Sequence, residues 1–184
     1  MDKQTEIAVD IGGGRGEYFL KRAINEPQKT FVVLDPQIEN IPDKPENLIL
    51  IKWKSDVDSK LPLSFNSVDE INMNMLMGEL KTNDANPRGN LEKELFPFRR
   101  ILRETKNILK DGGEITICEP KANIDYAVKL LNEEGYQIVK SPSQVEDERK
   151  SKFIELFYSF FKNTRNDQKD SLVLPMEVKA ILKK

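Results

Sequence analysis

The sequence predicts an α/β fold: a mostly parallel sheet with helices on both faces. Three observations predict it. Short, nearly all-apolar β-rich runs alternate with helical patterns along the chain. Those runs are too continuously apolar for strands with one wet face, so both faces of the sheet must be covered. The first run passes straight into a glycine-rich loop and then into an amphipathic helical pattern, as a βα unit does. At 184 residues the chain is long enough for one domain, 1–184, with a sizeable core, and it contains no internal repeat or low-complexity segment.

The elements follow in order. Thr5 to Ile11 (TEIAVDI) is a short strand ended by glycines. Gly16 to Glu26 places Phe19, Leu20, Ala23 and Ile24 at helical spacing, and Pro27 stops the helix. Thr30 to Asp35 (TFVVLD) is the second strand, closed by Pro36, and Asn47 to Lys54 is the third. Ser67 to Leu76 is the fourth. A long helix over 90–109 puts Leu95, Phe98, Leu102, Thr105 and Leu109 on one face. Gly112 to Pro120 reads as a turn and a fifth strand, Asn123 to Gly135 as a helix ended by glycine, and Tyr136 to Ser141 as a sixth strand. Pro175 to Lys184 supplies a seventh. The connections PQIENIPDKPEN and SDVDSKLPLSFN hold too much Pro and Asp for long helices, so the helical layer there is expected to be thin.

Glu148 to Asn163 departs from simple alternation. Phe153, Leu156, Phe157, Phe160 and Phe161 fall at helical spacing, and Ile154 and Tyr158 widen the apolar arc. A helix over 148–163, within an insertion over 145–170 ahead of the last strand, is expected. It packs on the sheet edge, or serves as a lid, a substrate wall or a homodimer face.

Composition narrows the chemistry. With 38% hydrophobic and 33% charged residues, the chain reads as an ordinary globular protein. No apolar run approaches the roughly 20 residues that span a membrane, and the N-terminus lacks the layout of a signal peptide. A cytoplasmic location is expected. The single cysteine, Cys118, excludes an internal disulfide and a cysteine zinc cluster, and its place in a strand reads as a small buried residue. There is no histidine, which removes the commonest metal ligand and the commonest general base near neutral pH. No metal site is expected. A net charge of −2 implies no bulk attraction to nucleic acid. Arg99, Arg103, Lys106 and Lys110 nevertheless line one side of the long helix, and Arg149, Lys150 and Lys152 precede the aromatic segment. Such stripes follow phosphates or are simply solvated.

The glycine loop carries the functional signal. A P-loop ends in Gly-Lys-Ser/Thr, and this chain has Arg15-Gly16-Glu17. The dinucleotide fingerprint would use Gly12 and Gly14, with Glu17 at its third glycine position. A carboxylate there repels a pyrophosphate. Two like charges about 4 Å apart at an effective dielectric near 20 cost roughly 4 kcal/mol. The pattern that fits is an acid followed by glycines at alternate positions: Asp10, Gly12, Gly14 and Gly16.

With the strands around it, this pattern resembles motif I of the class I S-adenosylmethionine-dependent methyltransferases. The other landmarks follow in order: Asp35 at the end of FVVLD, Asp56 and Val57 in KSDV, the fourth strand INMNML, and LKDGGEITICEP. The resemblance covers Ile7 to Val139, about three quarters of the chain. It implies a three-layer Rossmann-like sheet of seven strands with the last antiparallel. It also implies S-adenosylmethionine contacts from Asp10, Gly12, Gly14, Gly16, Asp35, Asp56, Val57 and Asn72. Asp10 suits the ligand's cationic amino-acid end, Asp35 its ribose hydroxyls, and Asp56 and Val57 its adenine.

The resemblance further implies in-line displacement at the sulfonium methyl, in which proximity and alignment carry much of the catalysis. Neither metal nor histidine is required. Asn72 and Asn74, two apart on a strand, point the same way, and their amides suit an amine or ring-nitrogen acceptor. Glu79 and Glu119 are candidate bases, Tyr18 a candidate cover for the methionine moiety, and Met73, Met75 and Met77 fill the core or line the pocket. The function expected is methyl transfer to a small-molecule or peptide acceptor, roofed by segments 78–90 and 141–170. The alternatives are an RNA methyltransferase and a non-catalytic cofactor-binding module. The glycine-loop region is similar to aminoglycoside-resistance ribosomal RNA methyltransferases and to transfer-RNA guanine methyltransferases. It lacks their Pro-Asp-Pro-Trp or Phe-Pro-Trp-Gly after the fourth strand, and the only tryptophan is Trp53.

Overall fold

A computed structural model describes residues 5–14, 16–54, 60–74, 87–145 and 175–184. The elements run β1 (Ile7–Ile11), α1 (Glu17–Asn25), β2 (Thr30–Asp35), β3 (Leu48–Lys52), β4 (Val68–Asn74), α2 (Pro87–Ile108), β5 (Leu109–Pro120), α3 (Lys121–Glu133), β6 (Tyr136–Gln144) and β7 (Pro175–Leu182). They form one sheet in the order β3-β2-β1-β4-β5-β7-β6. The strands from β3 to β5 pair in parallel, and β7 runs antiparallel to both its neighbours. The expected seven-stranded α/β sheet with an antiparallel last strand is the one observed.

Strand alternation divides the apolar residues between two cores. Val9, Ile11, Val32, Leu34, Ile71, Met73, Ile115 and Ile117 face α2 and α3, where Phe98, Leu102, Ile124, Ala127 and Leu131 meet them. Ala8, Phe31, Val33 and Leu48 face α1 and pack on Phe19 and Ala23. The second core is smaller because 36–47 forms no helix beside α1, while Leu61 and Leu63 of the helix-free β3–β4 connection pack on the first core. Proline and aspartate in these links had predicted that thin layer.

Three boundaries differ by more than two residues from those the sequence suggests. Leu109, expected at the end of the long helix, and Gly112–Gly113, expected as a turn, belong to β5 instead. Leu109 pairs with Val68 and Glu114 with Glu70, so four residues of β5 oppose one of β4 in a wide bulge, with Gly112 at φ 72°. β6 extends past Ser141 to Gln144 because Ser143 and Gln144 pair with Glu177 and Met176 of β7. Pro142 is tolerated because β6 is the edge strand. α2 starts at Pro87, ahead of the expected 90, and a proline suits a first helical position. The helix expected over 148–163 and most of the 145–170 insertion lie outside the described residues.

The cationic stripe of α2 is internal mortar. Arg103 pairs with Glu134 at 2.9 Å, Arg99 pairs with Glu133, and Lys106 donates to the Glu134 carbonyl at 2.6 Å. Lys110, at the start of β5, pairs with Asp69 at 2.8 Å. The stripe therefore joins α2 to the end of α3, and β5 to β4. The Tyr136 hydroxyl lies 2.7 Å from that of Thr105 and 3.2 Å from the Leu102 carbonyl. Burial pushes its pKa up, against the opposing effect of the Thr105 hydrogen bond, so it stays protonated.

On the other face Arg22 clamps α1 to β4. Its guanidinium donates to both Glu70 oxygens at 2.6 and 3.0 Å and to Glu26 at 2.9 Å, and lies 5.1 and 5.4 Å from the Phe31 and Phe19 ring centres. Burial is the largest single effect on Glu70 and would raise its pKa. Hydrogen bonds from Arg22 and Asn72, with the Arg22 charge, outweigh it and hold Glu70 below its ordinary value.

The stability Glu70 lends is therefore complete above the ordinary glutamate range and is lost as pH falls through the lowered value. Arg22→Ala should cost about 2–3 kcal/mol at pH 7, and the gap to the unmodified protein should narrow as pH is lowered. Denaturant unfolding at neutral and acidic pH measures both effects.

Candidate functional site

The sheet order reverses direction between β1 and β4: from β1 the chain runs outward through β2 and β3, then returns to build β4 and β5 on the other side. In open α/β sheets the crevice beyond the strand C-termini at such a point is where ligands bind. Asp10, the glycine loop, Asp35, Asn72 and Asn74 all lie around this crevice.

The loop is built on left-handed backbone. Gly12, Gly14 and Gly16 have φ of 77°, 59° and 77°, so the alternation seen in the sequence is an alternation of conformations that L side chains rarely adopt. The Gly12 amide donates to the Leu34 carbonyl at 2.9 Å, which continues the β1–β2 contact past the end of β1. The Leu20 amide closes the first turn of α1 onto the Gly16 carbonyl at 2.9 Å. Glu17 is the first residue of α1, where the helix dipole favours a carboxylate.

Gly13 matters for a different reason. A Cβ there would lie 2.5 Å from Asp10 Oδ2 and 3.1 Å from Val33 Cγ1. The alternating motif passes over Gly13. Its only sequence signal is that three glycines stand in a row where the motif requires two.

The two strand-end acids have distinct surroundings. Asp35 is buried, and its carboxylate accepts from two backbone amides: Gly14 N–H at 2.9 Å on Oδ2 and Gln37 N–H at 2.7 Å on Oδ1. Each oxygen retains a further lone pair for a ligand hydroxyl. Asp10 is 1% exposed, and its Oδ1 accepts from Asn74 Nδ2 at 2.6 Å. Asn72, in register with Asp10, donates from Nδ2 to Glu70 Oε1 at 2.9 Å. Both asparagines share the Asp10 face, as strand alternation requires.

Other candidates fall elsewhere. Glu119 is fully buried and shares the parity of Ile115 and Ile117, which puts it on the face opposite Asn74. Tyr18 packs against the α1–β2 core, 5.7 Å from the Phe19 ring. Met73 is core, and Cys118 is buried in β5. Trp53 donates from its indole to the Lys60 carbonyl at 3.2 Å. Asp56, Val57, Met75, Met77 and Glu79 lie outside the described residues, as does Arg15 in the loop.

These groups suit S-adenosylmethionine. A glycine turn with no room for a side chain at Gly13 permits close backbone approach, and carboxylate and amide oxygens match a ligand with an ammonium and a sulfonium.

No family model matches the chain. It is similar to the tRNA (guanine-N(7)-)-methyltransferase of Pediococcus pentosaceus, 24% identical over 144 residues, covering 73% of this chain and 64% of that protein. It is also similar to the protein of the same name from Staphylococcus saprophyticus, 23% identical over 97% of this chain and 83% of that one. Among solved structures it resembles the 16S rRNA methyltransferase KamB, with TM-score 0.60, 15% identity, and coverage of 98% of this chain and 90% of the other. A mutant 16S rRNA (adenine(1408)-N(1))-methyltransferase with cosubstrate SAM from Catenulisporales acidiphilia aligns with TM-score 0.58 at 15% identity, over 98% and 88% of the two chains. The fold is the Rossmann-like sheet of this methyltransferase class.

Gly13→Ala should displace Asp10 or open the loop. The expected cost is about 1–3 kcal/mol, seen as a lower melting temperature, together with loss of any stabilisation by S-adenosylhomocysteine. A variant that melts and binds like the unmodified protein would show that the Asp10 approach is not required.

Proposed function

We propose that this chain, with its Rossmann-like methyltransferase fold, is an S-adenosylmethionine-dependent methyltransferase whose acceptor is RNA. The observation that carries the cofactor half is the pairing of Asp10 and Asp35 around a left-handed glycine turn at the switch point. When bound, S-adenosylmethionine supplies a methyl group on a positively charged sulfonium, already a good leaving group. Asp35 accepts the ribose hydroxyls while bracing the loop through Gly14. Asp10 offsets the ligand's positive charge. Asp56, Val57 and Asn72 complete the contacts. A ring-nitrogen acceptor attacks through its lone pair and needs no general base.

The RNA half is supported by the relatives, whose names place them on transfer RNA and 16S ribosomal RNA. The paired stripe of α2 is not its basis. Lys52 at the end of β3, Lys54 just beyond, and Lys121 directly after β5 are exposed on the same C-terminal rim as the site. Cations in that position suit phosphates flanking an inserted base. A cytoplasmic location goes with this reading.

S-adenosylhomocysteine should raise the melting temperature of the unmodified protein, and Asp35→Ala should abolish the shift. No shift in the unmodified protein would sink the cofactor assignment. Tritiated methyl supplied to a fractionated lysate should enter RNA. Label in the small-molecule or peptide fraction instead would return the acceptor to that class, and no label would favour a binding module. Lys121→Glu should weaken RNA methylation several-fold and flatten its salt dependence, with S-adenosylhomocysteine binding intact.

A further inference from the structure

Asn74 is the last residue of β4, beside β1 at the switch point. Its Nδ2 donates to Asp10 Oδ1 at 2.6 Å. A carboxylate accepts only, so the partner settles which end of the amide is which: nitrogen toward Asp10, carbonyl oxygen turned away. Among the described residues that oxygen accepts no hydrogen bond, and Asn74 is partly exposed. One step deeper on the same face, Asn72 is oriented in the same sense, with its Nδ2 on Glu70 and Glu70 held by both arms of Arg22. Rotating Asn74 would set its carbonyl oxygen against the Asp10 carboxylate, a like-to-like contact at a buried site. The end of β4 therefore offers the acceptor substrate a hydrogen-bond acceptor.

Resting on the methyltransferase reading, we infer that Asn74 receives an amino N–H of the target base, and that the site selects a base edge bearing an amino group on or beside the methylated atom. Adenine through N6, cytosine through N4 and guanine through N2 supply such a donor. The O6/N7 edge of guanine presents only acceptors, and O4 of uracil is likewise an acceptor. Either would meet the Asn74 oxygen with two acceptors face to face, and the Asp10 bond prevents the amide from rotating to suit them. Asp10 thus acts on the substrate through Asn74 as a positioning residue, besides its place next to the glycine loop.

The test pairs a binding measurement with product identification. S-adenosylhomocysteine binding is measured by calorimetry. Tritiated methyl transfer from S-adenosylmethionine is then run on unmodified transfer-RNA and small-subunit ribosomal RNA transcripts, which are digested to nucleosides. Label is expected in methylated adenosine or cytidine, or in guanosine methylated at N1 or N2. Asn74→Ala should lower transfer at saturating S-adenosylmethionine about tenfold or more, a loss larger than any it causes in S-adenosylhomocysteine affinity. Label in 7-methylguanosine, in methylated uridine or in ribose overturns the inference, as does an Asn74→Ala protein with undiminished transfer. Product identity in the unmodified protein decides the matter even if that variant does not fold. Binding with no label in any transcript also overturns the inference and leaves the cofactor reading standing. An unmodified protein that binds no S-adenosylhomocysteine overturns the methyltransferase reading itself.

Discussion

The carboxylate of Asp35 holds the candidate site together. One oxygen takes the Gly14 amide and the other the Gln37 amide, so a single side chain fixes the glycine loop to the exit of the neighbouring strand. Without it, the glycine loop would keep its tie to β2 at Gly12, whose amide meets the Leu34 carbonyl, but lose the one at Gly14. The loop in turn sets where Gly13 approaches Asp10 and where α1 begins. A local backbone requirement and a long-range hydrogen bond thus specify the same geometry, which is the consistency expected of a sequence that encodes one structure.

The two faces of the sheet divide the work. The face toward α2 and α3 is closed by apolar packing, and Arg99, Arg103 and Lys106 of α2 meet Glu133 and Glu134. The face toward α1 carries polar residues inward from Glu70 to Asn74. Those groups are affordable only because Arg22 neutralises Glu70 and each asparagine amide reaches a carboxylate. The buried polar groups that lead up to the crevice form two hydrogen-bonded sets on one sheet face, Arg22–Glu70–Asn72 and Asn74–Asp10.

Much of this was legible in the residues. The strands announced themselves as apolar runs because a parallel sheet must be apolar on both faces, and the glycine alternation marked the ligand loop, though its left-handed backbone is seen only in the structure. Asp10 and Asp35 were legible as acids placed at strand ends. Gly13 was not, because what forbids a side chain there is the Asp10 carboxylate and Val33, neither visible in a local pattern. The α2 stripe was misleading for the same reason. Arg99, Arg103, Lys106 and Lys110 line up along the chain whether they meet phosphates or Glu133, Glu134 and Asp69, and only packing says which. The bulge at Lys110–Gly113 and the extension of β6 past Pro142 likewise depend on what the neighbouring strand offers.

The sequence by itself determined the fold class, the strand order's raw material and the kind of ligand the glycine loop can admit, because periodicity, backbone freedom and charge sign are local properties. Tertiary structure alone decided which amide meets which carboxylate. Asn74 and Asp10 are 64 residues apart, and their hydrogen bond exists only because β4 returns to lie beside β1. That return turns two ordinary polar side chains into an oriented acceptor at the mouth of the crevice.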